Sequence, residues 1–201
     1  MIHRVLALDP GFSAAGLMVF ERRETWVPIA AQAIRPVKDT KKTDARQSLQ
    51  DAGVIGKIVD GVVEAVTKYG IRYVVAELPD AGAARYSTCR AISISTGWLV
   101  CLIHSMKLAH EFYTPADVKV AATGNRMATK RQVTTSVKKL YPIVGTIRYA
   151  ADREHVADAA GAFLAAKNGQ MLRLLEQTAR GEGQVCHVPS CAGGCQGAAH
   201  G

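Results

Sequence analysis

Apolar and polar positions along the first third of the chain fall into short runs separated by turn chemistry. Ile2 to Leu8 is rich in Val, Leu and Ile and breaks at Asp9-Pro10-Gly11, which predicts a central strand closed by a turn. Gly16 to Glu21 (GLMVFE) and Trp26 to Ile34 predict two more strands, and their short connections make the three an antiparallel meander. A polar stretch, Pro36 to Arg46, reads as a loop. Beyond it Ile55, Ile58, Val59, Val62, Val63 and Val66 recur at three- and four-residue spacing, the stripe of a long helix that Gly70 stops. Ile71 to Glu77 (IRYVVAE) is the next strand, and a strand reached through a crossover helix normally pairs parallel to its partner.

After a loop from Leu78 to Ser87, the most apolar stretch runs from Ala91 to Ala109. It contains Ser93, Ser95, His104, Ser105 and Lys107, so it predicts a buried core helix and not a membrane span. A short strand around Glu111 to Tyr113 follows, then a basic helix from Thr129 to Leu140 and an Ala-rich helix from Asp152 to Lys167 with Val156, Ala159, Ala160 and Phe163 on one side. Met171 to Ala179 suggests a further short helix. The pattern predicts an α/β fold: a mixed five-stranded sheet, three antiparallel strands and then parallel ones, flanked by helices. One domain over residues 1–180 is expected, with a Gly/Cys-rich flexible tail over 181–201.

Composition changes this picture little, and charge changes it more. Hydrophobic residues make up 48% and charged residues 21%, the balance of a chain that buries a core. Lys and Arg number 25 against 17 Asp and Glu, a net +8. Most of the excess lies between Val118 and Ala151, where Lys119, Arg126, Lys130, Arg131, Lys138, Lys139 and Arg148 occur with no acid. A single-sign field of this kind favours a polyanion, although a solvated basic face is the bland reading. The start of the chain holds no apolar run fit for a signal peptide, so the expectation is a cytoplasmic protein without membrane attachment. Five cysteines, three of them in the tail, argue against a disulfide framework.

Three acids lie where an acid is awkward. Asp9 ends one hydrophobic strand, Glu77 ends another, and Asp158 follows His155 by three on the Ala-rich helix, so the two share a helix face. If the first and fourth strands are neighbours, Asp9 and Glu77 stand together at their carboxyl ends, where open α/β sheets place ligands. Carboxylates so close require a cation between them. Oxygen-rich ligation favours Mg²⁺ or Mn²⁺, and two such ions about 3.5 to 4 Å apart suit in-line displacement at a phosphodiester. Singly, each residue has an ordinary explanation: Asp9 as a turn former, Glu77 paired with Arg85, His155 as a partly buried histidine. Their joint pattern outweighs these.

The order of motifs resembles the RuvC family of Holliday-junction resolvases, within the retroviral-integrase and ribonuclease-H superfamily. LALDPGFSAAGLMVF (Leu6 to Phe20) is similar to the family's first strand with its catalytic Asp and following glycine. VVAE (Val74 to Glu77) resembles the second acidic strand end, and HVADAAGAFLAA (His155 to Ala166) the final helix. The resemblance implies a ribonuclease-H-like fold, metal ligation by Asp9, Glu77, His155 and Asp158, and endonuclease action on branched DNA such as four-way junctions, forks or flaps. GNRMATKRQV (Gly124 to Val133) resembles the family's glycine-containing turn, which makes Lys130 the basic residue near the scissile phosphate. Arg126, Lys130, Arg131, Lys138, Lys139 and Arg85 are then the expected DNA contacts, and a homodimer is implied.

Two features depart from the family. Its aromatic wedge after the second acid is replaced by Leu78, Pro79 and Asp80, with Tyr86 the nearest aromatic. Stacking of Tyr86 on an unpaired base would contribute about 1 to 3 kcal/mol, and unchanged junction affinity in Tyr86→Ala would refute it. The tail holds Cys186, His187, Cys191, Cys195 and His200. Their spacings match no common zinc finger, so zinc there is not the expectation. Two rival functions remain at the level of sequence: a non-catalytic branched-DNA-binding module, and an actin-like or sugar-kinase-type ATPase domain. The latter needs a second lobe and a second glycine-rich phosphate loop, which this chain lacks.

Overall fold

The computed structural model describes residues 3–36, 47–78 and 86–179. The polar loop after Pro36, the segment holding Arg85, the side chain of Tyr86 and the Cys/His tail lie outside the described residues. Five strands, β1 (Arg4–Asp9), β2 (Ala15–Arg22), β3 (Trp26–Ile34), β4 (Tyr73–Glu77) and β5 (Ala109–Tyr113), form one sheet in the order β3-β2-β1-β4-β5. β1 pairs antiparallel with β2 and parallel with β4, and β5 is parallel to β4. This is the mixed sheet expected from the sequence.

Strand parity sorts the core into two layers. Leu6, Leu8, Leu17, Val19, Val74 and Ala76 face α1 (Gln47–Tyr69) and α2 (Tyr86–Ser105). Val5, Ala7, Met18, Phe20 and Val75 face the opposite way. That second face is covered by α3 (Pro115–Thr123), α4 (Lys130–Leu140), α5 (Ala150–Ala166) and α6 (Gln170–Ala179). Both faces of the central strands are therefore covered, which is why they read as continuous apolar runs instead of alternating ones.

Three sequence expectations are corrected. The apolar helix ends at Ser105 and not near Ala109, because Lys107 takes a left-handed turn (φ 52°) and Ala109 opens β5 by donating to the Arg72 carbonyl at 3.0 Å. A helix absent from the sequence reading, α3, is nucleated by a capping box. The Thr114 hydroxyl accepts from the Asp117 amide, and the Asp117 carboxylate accepts from the Thr114 amide. The Ala-rich helix α5 is buried on more than one side, at Val156, Ala157, Ala159, Ala160, Gly161, Ala162 and Phe163. Its small residues let it sit between the sheet and α3; a Cβ on Gly161 would come within 2.5 Å of Val118. No helix among the described residues is long and apolar enough to cross a membrane.

Candidate metal and nucleic-acid site

The parity that sorts the core also aims the acids. Asp9 has the parity of Val5 and Ala7, and Glu77 that of Val75, so both belong to the face covered by α5. The β1–β4 register pairs Leu8 with Ala76, and Asp9 and Glu77 are the next residues of each strand. Two parallel strands thus deliver two carboxyls side by side at their carboxyl ends.

The approach of α5 brings in the third acid. His155 Nδ1 lies 2.6 Å from Asp9 Oδ2. That contact depends on Gly16, which pairs with Asp9 across the sheet. A Cβ at Gly16 would stand 2.2 Å from the backbone carbonyl of His155, so only glycine lets the helix backbone come this near. Two further contacts lock the helix. Arg35, just beyond β3, bonds the buried Asp152 at 2.6 Å in the first turn of α5. Phe163 stacks on Phe20 with ring centroids 3.6 Å apart, and Trp26 meets its edge. One turn beyond His155, Asp158 faces Lys130 with Nζ 3.8 Å from Oδ2. Lys130 opens α4, whose N-terminus is fixed by the reciprocal bonds of Thr129 and Gln132. Its side chain remains 66% exposed, so the pair contributes under about 1 kcal/mol and the ammonium is available to a ligand.

The electrostatics report how tightly the acids are gathered. Burial, then the charges of Asp158 and Asp9, push the Glu77 carboxyl up to about 8, against the opposing pull of Lys130 and Lys119. Burial and Asp9 push Asp158 up to about 7, opposed by Lys130 and His155. The Asp9 hydrogen bond raises the His155 imidazole despite its burial. Among the described residues no group of three or more His, Cys, Asp or Glu side chains is spaced to hold a metal ion as it stands. Asp9 is bonded to His155 and Asp158 faces Lys130.

The structure therefore brings together Asp9, Glu77, His155, Asp158 and Lys130. Arg126 precedes α4, while Arg131, Lys138 and Lys139 lie on it, all of them exposed. Lys138 runs against Gly145. Lys119 of α3, counted in the basic segment but not among the expected site residues, has a charge that reaches Glu77. Once α3 is recognised from Thr-Pro-Ala-Asp, Lys119 lies on a helix packed against α5.

Comparison with known proteins identifies the fold and the family. A family model described as crossover junction endodeoxyribonuclease RuvC matches residues 5–166. Proteins of that name from Corynebacterium efficiens and Mycobacterium avium are 27% identical over 139 residues and 28% over 146. Each alignment covers 68% of this chain, and respectively 58% and 69% of the relative. Against the Corynebacterium protein, then, the matched region is little more than half the relative's length. The structure of Thermus thermophilus RuvC in complex with a Holliday junction substrate superposes with a TM-score of 0.62 at 18% identity, covering 82% of this chain and 93% of that one. The fold is accordingly the ribonuclease-H-like mixed sheet, and the rival ATPase fold is not needed to explain it. With 162 consecutive residues, from 5 to 166, matched to one family model, the chain belongs to the RuvC family of crossover junction endodeoxyribonucleases.

Proposed function

We propose that this chain is a divalent-metal-dependent endodeoxyribonuclease that hydrolyses phosphodiester bonds in four-way junctions and related branched DNA. Besides family membership, one observation carries the reading: burial together with the charges of Asp158 and Asp9 raises Glu77, and burial with the charge of Asp9 raises Asp158, so acids from two strands and a helix crowd a single sheet end beside Lys130. Such repulsion favours a bound cation strongly. The donor set is oxygen-rich and fits Mg²⁺ or Mn²⁺. Asp9, Glu77 and Asp158 are the proposed ligands, with His155 a fourth, and two ions the expected complement. When bound, the cations stabilise charge developing on the phosphate and ease deprotonation of the attacking water.

The protein's own groups do the rest. Lys130, exposed at the tip of α4, and Lys119 draw the phosphate toward the acids. The Asp9–His155 hydrogen bond fixes both side chains, so the pocket keeps its shape while substrate enters. The overall step adds the water oxygen to phosphorus, breaks the phosphorus–sugar oxygen bond, and leaves the proton on the departing hydroxyl. The exposed basic residues of α4 contact the strands on either side. A two-fold dimer would present two such pockets to symmetric strands.

Incubating labelled four-way junctions and sequence-matched linear duplexes with the protein and Mg²⁺ tests the reading. Symmetric nicks in the junction alone, abolished in Asp9→Asn, are expected. Equal cutting of both substrates refutes the branch preference. Binding without cutting would instead make the chain a non-catalytic junction-binding protein.

A further inference from the structure

Between α3 and α4 lies a polar cavity that none of the four acid-site residues lines. Its volume is about 420 Å³, and it opens between the C-terminal turn of α3 and one side of α4. Thr123 and Asn125 form one wall; Arg131, Thr135 and Lys139 form the other. On a helix, positions 131, 135 and 139 recur every four residues and make one stripe. The Ser136 hydroxyl donates to the Ala122 carbonyl and ties α4 to α3, so the cleft is preformed. No acid lines it, and among the described residues neither Arg131 nor Lys139 has an ion-pair partner.

Two uncompensated cations beside hydroxyl and amide donors select for phosphate oxygens. The cleft's position then says which phosphates. Lys130 reaches Asp158, and the stripe starts one residue later at Arg131, about 100° round the helix, and runs along α4 away from that contact. At about 1.5 Å per residue, Lys139 lies about 13 Å farther along the axis of α4 than Lys130. One DNA strand advances about 3.4 Å per nucleotide.

We propose that the α3–α4 cleft is a backbone subsite gripping phosphodiesters of the cleaved strand, about two to four nucleotides from the cut. The proposal rests on the nuclease reading and adds to it where the strand is held once it leaves the acids. Lys138, turned onto Gly145, stands outside the subsite.

The test uses the full chain and a four-way junction in EDTA, with affinity read by fluorescence anisotropy across a salt series. Replacing both cations, Arg131→Ala with Lys139→Ala, is expected to flatten the log K against log salt slope by about 1.8, the loss of two phosphate contacts. A set of junctions with one neutral methylphosphonate linkage each, placed successively from the cut, locates the contact. Neutral linkages about two to four nucleotides away are expected to weaken the wild type severalfold and leave the double variant unaffected. A wild type that binds the junction in EDTA with a slope equal to the variant's, and cuts it once Mg²⁺ is supplied, overturns the subsite alone. So do neutral linkages that weaken both proteins equally. A folded wild type that binds no junction overturns the nuclease reading and the subsite with it.

Discussion

Replacing Glu77 by Gln removes a carboxyl that the fold holds at a loss. From an ordinary 4.5 to about 8, at about 1.4 kcal/mol for each tenfold change in proton affinity, the ceiling on that loss is about 5 kcal/mol. Relaxation of a partly hydrated site reduces it, and we expect about 2 kcal/mol. The direction follows from linkage. A carboxyl that binds its proton more tightly when folded makes stability decline as pH climbs from about 4.5 to about 8. Asp158, lifted to about 7, acts the same way. His155, raised by Asp9, adds stability below its unfolded value of 6.5 that is lost as pH passes its higher folded value. Metal-free wild type is thus expected to weaken steadily from pH 5 to pH 8, whereas Glu77→Gln weakens less. The two should converge near pH 4.5, and the variant should be the more stable at pH 8. Urea unfolding in EDTA at several pH values measures this directly. A Glu77→Gln protein no more stable than wild type at pH 8 would refute the account of a compressed acid cluster.

Three more perturbations probe other parts of the argument. Gly16→Ala puts a methyl group into the His155 backbone; a cost at or above about 3 kcal/mol is expected, with junction cleavage falling further than the fraction folded, and wild-type cleavage would contradict it. Lys130→Ala should change the unfolding free energy by less than about 0.5 kcal/mol because the residue is exposed, yet slow cleavage at least tenfold at saturating protein. Glu111 accepts from the Met171 amide at 2.8 Å and the Tyr113 hydroxyl at 2.7 Å, so Glu111→Ala strands two donors and should cost about 1 to 3 kcal/mol. Hydrogen exchange should then rise across α6 while cleavage by the folded fraction persists.

The strands and the long helices were legible because their apolar runs are unambiguous, and Asp9 and Glu77 were legible because an acid closing such a run is unusual. Which face they share with α5 is settled by the strand register and parity of the structure. Other features needed three dimensions. The sequence reading gave α5 one apolar side, since alanines leave little periodic contrast, yet the helix is buried on several. The role of Gly16 appears only when the α5 backbone is seen against it. α3 was overlooked although its capping residues, Thr114 and Asp117, stood in plain order; with it went the placing of Lys119, known only as part of the basic segment, near Glu77. The pairing of Asp9 with His155 depends on side-chain distances across 146 residues, which no local pattern encodes.

The central claim is that Asp9, Glu77 and Asp158 surround a divalent cation. Anomalous scattering from crystals soaked in Mn²⁺ tests it most directly. The account predicts density between these three carboxylates at about 2.0 to 2.2 Å from their oxygens, lost in Asp9→Asn. Manganese bound elsewhere with none between the acids, alongside junction cleavage that persists in EDTA, would contradict it.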